Sequence, residues 1–307
     1  MSAHHHPTHD HDHGTLDPTS KAFAVGVTLN LAFVAIEVVF GLRANSLSLL
    51  ADAGHNFSDV IGLLVAWWAM AMAKRAPSEQ FTYGLRSSTI LAALANAMLL
   101  LIAVGGIVWE ALHRFYEPSA VSEITMIWVA AVGVVINVTT ALMLMHGREH
   151  DINLHGAFLH MVADALVSVG VVLAGIGMMW TGWLWLDPAI SVVIGVVIFA
   201  GTLSLLKASL RLSLHAVPDG IETKAVMEYL QGLPQVEEVH DLHIWGMSTT
   251  EVALTAHLVT PQGHPGDAFL HHLAEQLHER FDVDHATFQI ELGDEGISCR
   301  LAPHDVV

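Results

Sequence analysis

Cysteine is almost absent from this sequence of 307 residues, since Cys299 is its only one. A single thiol excludes a disulfide framework and any site built on a CxxC pair. The sequence also lacks the HExxH motif of zinc peptidases and the GxxxxGK[ST] loop that binds nucleotide phosphates. We therefore expect neither a secreted disulfide-rich fold, nor an ATP-driven machine, nor an enzyme of the zinc peptidase class.

Charged residues are also scarce, at 14% of the chain, where a soluble protein has about a quarter. Hydrophobic residues make up 53% and the mean hydropathy is +0.52, which predicts a membrane protein with a modest soluble part. Only 12 residues are Lys or Arg, against 30 Asp or Glu, and this net charge of −18 argues against nucleic acid as a partner. The first 20 residues lack the apolar segment of a signal peptide.

Six apolar stretches, each near the roughly 20 residues that a bilayer requires, predict six transmembrane helices. They are residues 21–42, 46–73, 83–112, 121–146, 153–180 and 187–210. An even number of spans places both termini on one side of the lipid bilayer. The helix ends on that side carry seven basic residues and the opposite ends carry two, so we expect both termini in the cytoplasm. We expect a multi-pass protein of the bacterial inner membrane.

The sequence after Arg211 predicts a small soluble domain. Two helical segments (219–232 and 265–281) and three strand segments (236–247, 251–260 and 285–292) follow one another in the order αββαβ. Two helices on one face of a three-stranded sheet satisfy this order. The predicted fold is thus an all-α six-helix transmembrane domain (21–211) followed by a cytoplasmic α+β domain (212–293), with a tail at 294–307.

The first 20 residues are polar and rich in histidine, a composition typical of disordered metal-binding segments. We expect a loose arm that collects metal ions, although a dispensable tail fits the same composition. Its histidines are His4, His5, His6, His9, His11 and His13.

Two apolar stretches contain the same polar pattern, a histidine followed four residues later by an aspartate. These pairs are His55 with Asp59 and His160 with Asp164. Positions i and i+4 share one face of a helix, so each helix aims an imidazole and a carboxylate the same way. If the helices face each other, two nitrogens and two oxygens form a set that suits tetrahedral Zn²⁺. The structural alternative is a buried hydrogen bond within each helix.

Two further acidic residues lie inside the predicted spans, Glu37 in the first and Asp52 one turn before His55. Ionisable groups at membrane depth are costly, which makes them candidates for a functional role. We expect accessory groups on an ion or proton route, although hydrogen bonds between helices explain them too.

The predicted soluble domain contains a group of histidines that could hold a regulatory cation. His240 and His243 are three residues apart, so on a regular strand they point to opposite faces. His257 and His285 lie in the other two predicted strands, where they could converge with one of the first two.

Four motifs occur in a fixed order along the chain and together resemble the cation diffusion facilitators, a family of zinc transporters. They are SLSLLADAGHNFSD at residues 46–59, FTYGLR at 81–86, HMVAD at 160–164 and HDLHIW at 240–245. The resemblance runs from about Lys21 to Leu292. It implies a homodimer that exports Zn²⁺ from the cytoplasm in exchange for protons by alternating access, with no enzymatic activity.

The resemblance also implies roles for particular residues. His55, Asp59, His160 and Asp164 match the transport site of the zinc-selective branch, and a site of this kind also admits Cd²⁺. The cytoplasmic domain should be ferredoxin-like, similar to a metallochaperone. In it His240, His257 and Glu291 fall near positions used for cytoplasmic zinc, while Gln289 occupies a position where relatives place histidine.

Two other functions fit parts of the same pattern. A membrane cytochrome could use His55 and His160 as axial haem ligands, but the carboxylate one turn from each histidine would then have no role. A membrane metal sensor that does not transport could use the soluble domain alone.

Overall fold

The computed structural model describes residues 21–145, 152–293 and 299–302. The histidine-rich arm and most of the predicted C-terminal tail lie outside these residues. Six long helices come first along the chain and a small mixed domain follows them. The elements are α1 Lys21–Ala44, α2 Leu47–Ala73, α3 Ser88–Tyr116, α4 Glu123–Leu144, α5 Ile152–Thr181, α6 Leu186–Ser213, α7 Thr223–Gln231, β1 Glu238–Gly246, β2 Val252–Val259, α8 Asp267–Phe281 and β3 His285–Glu291.

Within the described residues, five helices are long and apolar enough to cross a membrane: Leu47–Ala73, Ser88–Tyr116, Glu123–Met143, Phe158–Thr181 and Leu186–Ser213. Large apolar side chains on them face outward, such as Trp109 at 75% exposure and Trp128 at 70%. Surfaces of this kind belong in lipid rather than water, so the chain is a multi-pass membrane protein. Helix α1 has 24 residues and coincides with the first predicted span, which stays a prediction.

Helix α3 begins five residues later than predicted, because residues 81–87 form a turn instead of a first helical turn. Gly84 adopts φ +71°, and its N–H donates to the carbonyl of Phe81 at 2.8 Å. A Cβ at this position would also stand 3.0 Å from the carbonyl oxygen of Arg75. Glycine is the residue that accepts both constraints, and the helix starts only at Ser88.

The described residues form two compact units, one within the ranges Met1–Leu63 and Leu99–Thr202 and the other within the ranges Leu64–Met98 and Leu203–Val307. The core of the first unit includes Leu49 of α2, Met126 of α4, Met178 of α5 and Ile194 of α6. Helices α4 and α5 approach closely at Gly175, where an added Cβ would stand only 2.6 Å from Ile127 Cγ1. Small residues at such crossings are typical of helices packed in a membrane.

A buried carboxylate fixes the start of α2 in the first unit. Asp187, in the first turn of α6, has no exposed surface and accepts hydrogen bonds from the Leu47 N–H at 2.8 Å and the Ser48 N–H at 3.1 Å. The hydroxyls of Ser46 and Ser48 donate to it at 2.8 and 2.6 Å, and Arg114 Nη1 lies 3.9 Å away. The carboxylate satisfies N–H groups that the helix leaves unpaired and complements the helix dipole. This cap sets the position of α2.

The second unit contains a three-stranded sheet in the order β1-β2-β3, with β1 antiparallel to β2 and β2 parallel to β3. Buried residues of its helices and strands form one apolar core, among them Leu230, Leu254 and Leu277. The predicted order αββαβ is therefore confirmed, with element ends that differ by a few residues.

The turn at residues 81–89 contacts the small domain within this second unit. Arg86 Nη1 lies 2.7 Å from Glu251 Oε1, and the Ser87 hydroxyl donates to the carbonyl of Met247 at 3.2 Å. The N–H of Thr249 donates to Thr89 Oγ1 at 3.1 Å. The loop between β1 and β2 is thus hydrogen-bonded to the first residues of α3.

Replacing Asp187 with Asn removes the charge and places an amide donor among N–H and O–H donors. Hydrogen bonds to a charged group contribute about 1.5–3 kcal/mol each, so Asp187→Asn should lower stability markedly. We expect the Tm of the detergent-solubilised protein to fall by about 5 °C or more. The matched control is Asp219→Asn, whose side chain is 74% exposed and should change Tm by less than about 1 °C. Equal Tm values for the two variants would contradict the role of the cap.

Candidate metal centre

Helices α2 and α5 bring the two predicted pairs together in the first unit. The imidazole rings of His55 and His160 are 5.8 Å apart, centre to centre, and nearly perpendicular at 79°. The carboxylates of Asp59 and Asp164 lie between them. All four side chains therefore point into one space between the two helices.

The distances across the helices decide between the two interpretations of the sequence pattern. Asp59 Oδ2 lies 3.2 Å from His160 Nε2 on the other helix and 3.7 Å from His55 Nε2 on its own. Asp164 Oδ1 lies 3.4 Å from His55 Nε2 on the other helix, and its Oδ2 lies 3.5 Å from His160 Nε2 on its own. Each carboxylate lies within 3.7 Å of both histidines, so the groups do not form two separate intrahelical pairs.

These atoms are close, yet several of them make no hydrogen bond. Asp59 Oδ2, Asp164 Oδ2 and His55 Nδ1 are buried without a hydrogen-bond partner. The separations of 3.2–3.7 Å are typical of ion pairs, but the orientation of the carboxylates and imidazoles does not complete hydrogen bonds. Buried polar atoms without partners are rare, and a cation between the helices would satisfy the two carboxylate oxygens. His55, Asp59 and His160 each offer a donor atom within 4.8 Å of the others.

The two accessory acidic residues lie next to this space. Asp52 has no exposed surface and accepts a hydrogen bond from the Ser168 hydroxyl of α5 at 3.2 Å. Glu37 of α1 is equally buried and accepts from the Asn56 side chain at 3.3 Å. Asp52 precedes His55 by one helical turn, and Ser168 follows Asp164 by one turn. Both predicted accessory residues are therefore neighbours of the four-residue set.

A second group of possible ligands lies on one face of the small domain's sheet. His240 and His257 are direct cross-strand partners, and Gln289 is the partner of His257 on β3. Partners share a face and alternate residues return to it, which puts Glu291 on the same side. His240, His257, Glu291 and Cys299 each offer a donor atom within 4.8 Å of the others.

The contacts in this second group centre on Glu291. Its Oε2 lies 3.3 Å from His240 Nε2 and its Oε1 lies 3.0 Å from His257 Nδ1. Cys299 Sγ is 3.5 Å from the same Nδ1. Partial burial alone would raise the pKa of the Glu291 carboxyl. Hydrogen bonds from Gln289 and Cys299, with the nearby histidines, outweigh burial and lower that pKa below its usual value.

The expectation that His240 and His243 point to opposite faces is wrong. A β-bulge lies between them, with Asp241 at φ +50°, and His243 pairs with Thr255 two residues before His257. The extra residue returns His243 to the face of His240. Its Nε2 nevertheless contacts Asp241 Oδ1 at 2.8 Å, and it is not one of the four clustered donors.

The expectation that His285 converges with the other histidines is also wrong. Because β3 runs parallel to β2, His285 pairs with Ala253, four residues and about 13 Å along the strand from His257. Its ring lies 5.7 Å from that of Tyr83 instead. Cys299, in contrast, was missed as a candidate ligand, since a lone cysteine beyond the last strand has no spacing signal.

Comparison with known proteins bears on both units. A model described as the cation efflux transmembrane domain matches residues 23–212, and one described as the cytoplasmic domain of cation efflux proteins matches residues 218–292. The chain belongs to the cation efflux family. The resemblance noted from the four motifs is confirmed.

Curated members of the cation efflux family match this chain over most of its length. The metal cation efflux system protein CzcD of Cupriavidus metallidurans is 36% identical over 92% of this chain and 90% of its own. The zinc transporter ZitB of Escherichia coli is 33% identical over 96% and 95%. A protein of Bacillus subtilis named cadmium, cobalt and zinc/H(+)-K(+) antiporter is 30% identical over 92% and 91%.

The position of Cys299 can be tested with cobalt, which reports a thiolate ligand by its charge-transfer absorption. If the cluster binds metal, we expect this absorption in the Co²⁺-loaded protein and its loss in Cys299→Ser, since the chain has no other thiol. The matched control is His264→Ala, which alters an exposed histidine outside the cluster. A parent spectrum without thiolate absorption would exclude Cys299 as a ligand.

Proposed function

We propose that this protein exports Zn²⁺ from the cytoplasm in exchange for protons, with the ion held by His55, Asp59, His160 and Asp164. The observation that carries the proposal is the cross-helix arrangement of these groups. Each carboxylate contacts the imidazoles of both helices, at 3.2 and 3.4 Å across the helices and at 3.7 and 3.5 Å within them. An ion between them would bridge α2 and α5.

The donor set favours zinc among common cations. Two imidazole nitrogens and two carboxylate oxygens suit a tetrahedral Zn²⁺, and the two negative charges neutralise the ion within the apolar slab. A larger ion such as Cd²⁺ fits the same donors, which agrees with the metals in the name of the Bacillus subtilis relative. Hard oxygen-preferring ions such as Mg²⁺ are disfavoured by the two nitrogens.

Exchange of the ion for protons follows from shared ligands. An imidazole binds either a metal or a proton, and its unperturbed pKa near 6.5 lies close to working pH. Metal binding from the cytoplasm therefore displaces protons, and protons from the outer side later compete for the same groups and release the ion. Movement of α2 relative to α5 would open the site to each side in turn.

The haem alternative is disfavoured by the same geometry. A porphyrin between His55 and His160 would need the space beside each Nε2 atom. Carboxylate oxygens of Asp59 and Asp164 lie within 3.2–3.7 Å of those two atoms. A macrocycle has no room there without displacing both carboxylates.

The C-terminal cluster supports a second, regulatory metal site. His240, His257, Glu291 and Cys299 offer two nitrogens, an oxygen and a sulfur, which are all zinc ligands. We propose that this domain is cytoplasmic, that a homodimer forms through it, and that both termini face the cytoplasm at the bacterial inner membrane. The transport domain would comprise residues 21–211 and the regulatory domain 212–293.

Flux into proteoliposomes with an acidic lumen tests the transport proposal. We expect the parent to accumulate Zn²⁺. The rate of Zn²⁺ uptake should be more than about tenfold lower in Asp59→Ala and in Asp164→Ala than in the parent, because each variant lacks one ligand. Glu117→Ala, an exposed acidic residue after α3, is the matched control and should transport like the parent.

The outcomes separate the parts of the proposal. Unchanged flux in both aspartate variants would reject the metal site. Flux that persists after an ionophore collapses the pH gradient would reject proton exchange and leave the metal site unaffected. No flux in the parent, with metal bound at the C-terminal cluster, would favour the sensor that does not transport.

A further inference from the structure

Glu37 of α1 and Asp52 of α2 form a second buried acidic group that the four proposed metal ligands do not include. Both residues have no exposed surface. Asn56, whose side chain donates to Glu37, lies four residues after Asp52 on the same face of α2, so Glu37 packs against α2 beside Asp52. Glu37 and Asp52 thus form a carboxyl pair inside the first unit, next to the proposed transport site.

Each carboxyl of this pair has one oxygen with a partner and one without. Asn56 Nδ2 donates to Glu37 Oε2 at 3.3 Å, and Ser168 Oγ donates to Asp52 Oδ2 at 3.2 Å. Glu37 Oε1 and Asp52 Oδ1 are buried and have no hydrogen-bond partner. Two ionised carboxylates offer only acceptors, so neither can satisfy the other. A proton shared between them supplies the missing donor.

Among the described residues, no lysine or arginine forms an ion pair with Glu37 or Asp52. The polar partners of the pair are Asn56 and Ser168. The ionisable groups next to it are Asp164 and His55, and His55 belongs to the proposed metal site. Asp164 adds negative charge, and two carboxylates that share one buried site cannot both ionise at low cost. The pair therefore holds one proton when the transport site has no metal.

A metal ion at the transport site changes this balance. Asp52 lies one helical turn from His55, and Ser168, which donates to Asp52, lies one turn from Asp164. A divalent cation there would neutralise Asp59 and Asp164, and its field would act on the pair through a medium of low dielectric constant. The cost of ionising both members of the pair then falls, and the shared proton can leave.

We propose that Glu37 and Asp52 are a proton-binding site, distinct from the metal ligands, that holds one proton in the metal-free state and releases it when a divalent cation binds. The proposal rests on the proposed transport site. It adds one proton that is released from the carboxyl pair and not from a metal ligand. The bond that breaks is the O–H of the shared proton, which leaves as hydronium, and both carboxylates remain ionised in the metal-bound state.

Proton release during zinc binding tests the proposal in detergent-solubilised, weakly buffered protein with a pH-indicator dye. We expect Glu37→Gln and Asp52→Asn each to bind zinc at the transport site and to release about one proton fewer per ion than the parent. Glu117→Gln is the matched control and should release as many as the parent. The four ligands are the same in all variants, so protons displaced from them cancel in the comparison. All proteins carry alanine at the six histidines of the arm, together with Cys299→Ser and His257→Ala, which remove two of the four donors of the C-terminal cluster.

Infrared difference spectra provide a second measurement, in which the parent alone can already contradict the proposal. Zinc binding should abolish the carbonyl stretch of a neutral carboxylic acid, and this loss should be missing in Glu37→Gln. Equal proton release in the parent and in both folded variants, or a parent difference spectrum without loss of a neutral acid, would overturn the proposal. Loss of zinc binding in a folded Glu37→Gln would make Glu37 a ligand and overturn it as well.

Failure of the underlying transport site gives a different result. If the parent does not bind zinc at α2 and α5, the proposed function falls, and zinc-linked release falls with it. If the parent binds zinc but zinc also abolishes the neutral-acid stretch in Glu37→Gln, only the shared proton is wrong.

Discussion

The structure depends on how four ionisable side chains are held between α2 and α5 in an apolar environment. Charges at this depth cost several kcal/mol unless they are paired, protonated or bound to a metal. The two helices meet this constraint jointly, since Asp59 faces His160 and Asp164 faces His55 at 3.2 and 3.4 Å. Any movement of one helix against the other therefore changes the same set of contacts that holds the ion.

The remaining polar contacts of the first unit position this set. Asp187 caps the N-terminus of α2, about two turns before His55. Ser168 joins α5 to Asp52 of α2 one turn from the site, and Asn56 joins α2 to Glu37 of α1. These side chains thus join α2 to α1, α5 and α6. In the second unit, Arg86 and Glu251 join the start of α3 to the loop of the small domain.

Much of this arrangement is predictable from the sequence, and the exceptions have physical reasons. The spacing of His55 with Asp59, and of His160 with Asp164, predicts a shared helical face, but it does not tell whether the pairs interact within or across helices. The late start of α3 depends on Gly84, whose positive φ belongs to the turn that precedes the helix.

The C-terminal cluster was less predictable because it depends on strand register. The bulge at Asp241 changes which face His243 occupies, and no residue pattern marks it. Parallel pairing of β2 with β3 separates His285 from His257 and brings Glu291 close instead. Cys299 reaches the cluster from beyond the last strand, where tertiary contacts rather than periodicity determine its place.

Zinc K-edge X-ray absorption tests the central claim most directly. The protein should carry Cys299→Ser, His257→Ala and alanine at the six histidines of the arm, so that one equivalent of bound zinc reports the site between α2 and α5. The account predicts four nitrogen and oxygen neighbours at about 2.0–2.2 Å, with imidazole scattering from two histidines. A six-coordinate oxygen shell, or a spectrum without imidazole scattering, would contradict it.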